Sequence, residues 1–147
     1  MLYTIGHSNV RFDHFLSVLK KYNIDILCDI RIMPFSAYVP HFNKDSLQVN
    51  LKKEGIIYVH KTELGSTNIY PLLQASNFLL EILQKINKVS MDKNVVLMSD
   101  GWDYKNCHRT ILAEWIEYHL KTKAHHINIK DGELFNTNEI VQLNIFN

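Results

Sequence analysis

The stretch "NVVLMSDGWDYKNCHRTILAEWIEYHLKT", Asn94–Thr122, decides the fold. Val95 to Met98 form an unbroken apolar run, as expected of a strand covered on both faces. A polar turn containing Gly101 follows, and from Asn106 onward the pattern is the strongest helix in the chain, with Asn106 suited to cap it. A doubly buried strand running through a polar loop into a helix is one half of a parallel crossover unit.

The same alternation extends in both directions. Upstream, "LYTIGHS" (2–8) reads as a strand, "RFDHFLSVLKKYN" (11–23) as a helix with Phe12, Phe15, Leu16 and Leu19 on one face, and "IDILCDIRI" (24–32) as a second apolar strand. Pro34 and Pro40 bracket a loop. "NKDSLQVNLKKEG" (43–55) is a helix closed by Gly55, and "IIYVHK" (56–61) is a third strand. From Pro71 to Lys88, Leu72, Leu73, Leu79, Leu80, Leu83 and Ile86 form one helical stripe. Downstream, "HHINIKDGELFN" (125–136) predicts a terminal strand with a turn at Asp131–Gly132. The expected fold is a single α/β domain over residues 1–147. It has a mainly parallel sheet, right-handed crossovers and helices on both faces, a Rossmann-like three-layer arrangement.

Composition narrows the function classes. The 147 residues suit one core, and 46% hydrophobic with 21% charged residues is ordinary for a globular chain. A net charge of +1 gives no global pull on nucleic acid or an anionic membrane. No apolar run approaches the ~20 residues of a membrane span, and "MLYTIGHSNV" reads as a strand and not a signal peptide. Cys28 and Cys107 make neither a disulfide framework nor a metal pair, so a cytoplasmic protein with free thiols is expected. No membrane partner, metal or cofactor is expected, and nothing sets an oligomeric state.

In open parallel sheets, ligands bind beyond the carboxyl ends of the strands. Those ends here carry Gly6, His7, Ser8 and Asn9; then Asp29 and Arg31; then His60, Lys61 and Glu63; then Ser99 and Asp100, whose loop delivers Cys107, His108 and Arg109. The first turn of a helix has unpaired N–H groups and a positive dipole end, which favour an anion. Arg109 adds a forked donor for phosphate or carboxylate, and a thiol placed there would be activated as a nucleophile. Plainer readings stand beside these. Cys107 could be a small half-buried residue, His108 could face solvent, and Arg109 could pair with Asp29, Asp100 or Asp103. Cys28, within an apolar strand, reads as buried and inert. His14, His41 and His119 read as surface residues, and His125 and His126 lack metal-ligand spacing. Trp102 and Tyr104 could stack on a base or pack the loop, and Phe35, Tyr38 and Phe42 could rim a pocket. There is no Gly-rich dinucleotide turn, phosphate-cradling loop or serine elbow, and Arg109 stands too near Cys107 for a phosphatase-type cradle.

"TIGHSN", "DIRIMPFS", "HFNKDSL", "GIIYVHKTELG" and "CHRTILAEW" occur in the order and spacing of the bacterial proteins called domain of unknown function family 488, which the chain resembles over roughly residues 3 to 130. The resemblance implies a compact α/β protein, usually cytoplasmic. It singles out His7, Ser8, Asn9, Asp29, Arg31, Pro34, Ser36, Phe42, Asn43, Leu64, Gly65, Cys107, His108 and Arg109. The family's usual Cys at the end of the fourth strand, and the acidic residue two positions on, are here Ser99 and Gly101; the second glycine after "LG" is Ser66.

These observations lead to an expected enzyme acting on a phosphate-bearing small molecule, such as a nucleotide or nucleoside derivative. Cys107, His108, His7 and Asp29 are its candidate catalytic residues. Arg31, Arg109, Ser8, Asn9, Ser99 and Asp100 are its candidate anion-binding residues. Asp29 would orient Arg31 or act as a base. The alternative is a non-catalytic sensor for a nucleotide or nucleic-acid end, with Arg31, Lys61 and Arg109 on phosphate.

Overall fold

The computed structural model describes residues 1–66, 69–105 and 107–136. Five strands, β1 (Leu2–Gly6), β2 (Ile26–Asp29), β3 (Ile57–His60), β4 (Val95–Ser99) and β5 (Ala124–Ile127), form one sheet in the order β3-β2-β4-β1-β5. Every pairing between them is parallel. The helices are α1 (Phe12–Lys21), α2 (Lys44–Lys53), α3 (Ile69–Ala75), α4 (Asn77–Asp92) and α5 (His108–Leu120).

The apolar run of β4 now has its reason. Val95 and Leu97 point into one core with Leu73, Leu83, Leu112 and Ile116 from α3, α4 and α5. Val96 and Met98 point into the opposite core with Phe15, Leu19, Leu47 and Leu51 from α1 and α2. A central strand sandwiched in this way has no solvent face on which to place a polar residue. The α/β expectation with helices on both faces holds.

Local chemistry sets the ends of the elements. After α1, Asn23 takes a left-handed φ of 51°, its N–H reaches the Lys20 carbonyl, and Ile24 N–H reaches Leu19 O. After α2, Gly55 does the same at φ 75°, with Gly55 N–H to Lys52 O and Ile56 N–H to Leu51 O. Both are Schellman closures, and each turns the chain straight into the next strand.

Two expectations change. The single helix expected over 71–88 is two, α3 and α4, because Ser76 is extended (φ −118°, ψ 112°) and its side chain accepts from Leu79 N–H, capping a new helix. The terminal strand is only Ala124–Ile127. The chain then turns at Gly132 (φ 74°) and returns to make one antiparallel bridge, Ile127 to Leu134. Asn106, the expected cap of α5, lies outside the described residues; α5 starts at His108 with Cys107 at the capping position.

β4 lies between β1 and β2, yet the helix leaving β1 packs on one face and the helix leaving β4 on the other. Such a divergence opens a crevice at the carboxyl ends of the strands.

Candidate functional site

The β1 and β4 exits are stitched together. His7 N–H donates to Ser99 O at 3.0 Å and Ser8 N–H to Asp100 O at 2.8 Å, which extends the parallel ladder beyond the sheet. Ser8 holds a left-handed φ of 53°, a conformation costing a non-glycine residue on the order of 1 kcal/mol. Gly6 permits the close approach: a Cβ there would lie 1.6 Å from Gly101 O and 3.0 Å from Arg109 Nη1. Gly65 does the same for the β2 exit, where a Cβ would lie 2.4 Å from Ile30 O.

Asp29 and Arg31 form a buried, two-pronged ion pair, Nε to Oδ1 at 2.9 Å and Nη2 to Oδ2 at 2.8 Å. Asp29 also accepts the Arg31 backbone N–H at 3.1 Å and the Tyr58 hydroxyl at 2.6 Å. Its lone pairs are thus fully engaged, which fits orienting Arg31 better than accepting a substrate proton. Burial alone would lower the Arg31 pKa, but bonding to Asp29 outweighs it and the guanidinium is held above its ordinary value. Tyr58 is pushed well above its ordinary value, first by burial and then by donating to Asp29.

Arg31 Nη2 also donates to Phe42 O at 2.7 Å, and Nη1 reaches His7 Nε2 at 3.2 Å. Phe42, in a 3-10 turn at Pro40–Phe42, stacks its ring on His7 with centroids 4.5 Å apart. It is therefore core, whereas Phe35 and Tyr38 are exposed. The loop between is pinned at both ends by Asn43 Oδ1 on Ser36 N–H (2.7 Å) and Pro34 O on Lys44 N–H (2.9 Å).

The partners of His7 fix its tautomer. Nδ1 lies 2.7 Å from Ser8 O, a pure acceptor, so Nδ1 carries hydrogen. Nε2 then faces Arg31 Nη1 at 3.2 Å and Asp100 Oδ1 at 3.1 Å. Neutral His7 accepts from Arg31; protonated His7 donates to Asp100. The proton at Nε2 thus decides which partner is bonded. Asp100 sits below its ordinary pKa chiefly through its bond with His7, with Arg31 and His108 adding to the effect.

Arg109 departs from expectation. Its guanidinium is fully buried and faces inward. Nη1 confronts Ser99 Oγ (2.5 Å), Gly101 O (2.7 Å) and Cys107 Sγ (3.1 Å), and Nη2 donates to Trp102 O (3.2 Å). Nε has no partner among the described residues, and no carboxylate lies within ion-pairing distance there. Burial lowers its pKa, and Cys107 is the main group opposing that. Arg109 thus organises the β4–α5 loop from within.

Cys107 is half-buried, with Ser99 Oγ 3.1 Å from its sulfur. Because Ser99 Oγ accepts from Arg109, its own O–H is available to the sulfur. His108, beside it in the first turn of α5, is half-buried, and its ring makes no hydrogen bond among the described residues; burial holds its pKa below the ordinary value, Asp100 opposing and Arg109 adding. Asn9 is exposed and lies 3.5 Å from Ser8 Oγ. Trp102 packs against Phe135 and under Lys130, and Tyr104 is buried against His126. His60 bonds Arg31 O at 2.7 Å and so braces the site from β3. Among the described residues no group of three or more His, Cys, Asp or Glu side chains could hold a metal ion.

Tyr58 is the site-builder absent from the sequence-based candidates, yet it carried a signal: on β3 it alternates with Ile57 and Val59 and so shares a face of the sheet with Asp29. Gly6 reads in the sequence as a strand end and Phe42 as a candidate pocket rim, and their actual roles are close approach and core packing.

The segment that supplies Asp29, Arg31, Phe42 and Tyr58 is also the one that matches a family model, the domain of unknown function DUF488, over residues 11–71. Across those residues the chain is similar to that family. The DUF488 segment runs from α1 into α3 and thus contains the buried ion pair and its braces, while His7, Cys107, His108 and Arg109 lie outside the matched residues. No curated protein and no solved structure matches the chain. No described helix is long and apolar enough to cross a membrane.

Proposed function

We propose that the chain is an enzyme acting on a phosphate-bearing small molecule, such as a nucleotide or nucleoside derivative, with Cys107 as its nucleophile. One observation carries the reading: Arg109 is fully buried without a carboxylate partner among the described residues. An uncompensated buried cation is costly, so the site calls for an anion. The Cys107 sulfur, 3.1 Å away, is the group in hydrogen-bond reach that can ionise, and a ligand anion at the start of α5 is the other source. Cys107 caps α5, so the positive end of that helix lies beside the sulfur.

The remaining residues take supporting roles. Ser99 Oγ and Arg109 Nη1, each 3.1 Å from the sulfur, are placed to donate to it. His108, neutral near pH 7 because its pKa is lowered, would accept the thiol proton and return it to the leaving group. Asp29 and Tyr58 position Arg31, which positions His7. Among the described residues four of the five Arg31 donors are used, leaving one Nη1–H for an anion. Ser8, Asn9 and Asp100 would edge the pocket.

The sensor reading has less support, since Trp102 and Tyr104 already stack on residues of the chain itself. A thermal-shift and turnover screen of nucleotides and phosphometabolites tests the choice. Cys107→Ser should keep ligand binding and lose turnover. Turnover that survives Cys107→Ser contradicts the nucleophile; salt-dependent oligonucleotide binding with no turnover in either protein favours the sensor.

A further inference from the structure

The sheet is not evenly covered. α2 packs against β3 on one face. On the other face α3, α4 and α5 gather over the central strands, and β3 is only partly covered, with Ile57 exposed and Val59 half-buried. Between α4 and strands β2 and β3 lies a groove of about 240 Å³. Ile26, Cys28 and Val59 form its floor, and Phe78, Ile82 and Ile86 line it from α4. Two cations complete the lining, Lys61 at the β3 exit and Lys85 on α4. Neither ammonium group makes a hydrogen bond or ion pair among the described residues. Glu63 lies close enough to act on Cys28, but burial pushes that thiol up to about 12, so the floor itself carries no charge.

We propose that this groove binds a small amphipathic carboxylate, its aliphatic chain laid along the apolar floor and its carboxylate met by Lys61 and Lys85. Small-molecule sites have this composition, mostly apolar walls with a few polar groups that fix orientation. From Phe78 to Val89 the helix presents roughly 16 Å of wall, enough for an extended chain. A second copy fits less well, because a two-fold contact would set the two lysines against their own equivalents. The groove shares no lining residue with the candidate site around Cys107, so its fate and that of the proposed reaction are independent.

The test uses the full chain and decanoate below its micelle concentration, followed by ¹⁵N NMR and calorimetry. One decanoate should bind per chain, with shifts centred on Val59, Ile82 and Ile86. Decanol should bind about five- to tenfold more weakly, and Lys61→Met and Lys85→Met should each cost about two- to fivefold in affinity. Val59→Trp, which fills the groove, should abolish binding. Equal affinity for decanol, indifference to both lysine substitutions, attachment only to anionic lipid vesicles, or a dimer that buries β3 would each overturn the proposal.

Discussion

Asp29→Asn isolates the part of the site that everything else leans on. The substitution preserves shape but removes the charge that balances Arg31, which is 3% exposed. An Asn amide would turn its NH₂ toward Arg31 Nη2 or the Tyr58 hydroxyl, both of which donate to Asp29 Oδ2 in the native site at 2.8 and 2.6 Å. Breaking a buried pair from one side typically costs about 3–5 kcal/mol, a large share of the roughly 5–15 kcal/mol that holds a domain folded. Urea denaturation followed by circular dichroism measures this directly. Asp29→Asn should lower stability by at least ~3 kcal/mol, and Asp29→Asn with Arg31→Met should cost less than the sum of the two single changes by more than ~1 kcal/mol, because no charge is then stranded. A loss under ~1 kcal/mol, or strict additivity, would refute the view that the two side chains balance each other in a dry site.

Two further outcomes follow from other parts of the molecule. Gly6→Ala should force the Gly101 carbonyl away and loosen Arg109, lowering Tm by roughly 3–10 °C; an unchanged Tm would mean that the loop is free to yield. His126 is buried under Tyr104, with Nδ1 2.7 Å from Thr4 Oγ1, and burial lowers its pKa from 6.5 to about 4. The folded state therefore resists protonation that the unfolded chain accepts, so stability should fall by up to about 3 kcal/mol as pH drops from 6.5 to 4. His126→Gln should flatten that part of the acid limb, and an equal slope in the variant would contradict the assignment.

The sheet was legible because apolar runs such as Val95–Met98 admit few interpretations. The convergence of His7, Asp29, Ser99 and Cys107 on one edge followed from reading the strands as mainly parallel, since their carboxyl ends then lie on one side of the sheet. What stayed hidden depended on contacts between distant segments. The leucine stripe runs unbroken in phase through Ser76, so periodicity could not show that its hydroxyl caps a new helix. Arg109 was correctly placed at a helix mouth, but the direction of its guanidinium is set by the carbonyls of Gly101 and Trp102, which only the folded loop brings round. Gly6 looked like a strand end; its importance comes from Gly101, 95 residues away in the chain.

The most direct test of the account is the rate at which iodoacetamide labels each cysteine, read by peptide mass mapping with and without a nucleotide monophosphate. Cys107 should be labelled and Cys28 not in the folded protein, the rate falling as the nucleotide saturates and again in Ser99→Ala. Labelling of Cys107 at the rate of a simple thiol, indifferent to both nucleotide and Ser99, would contradict it.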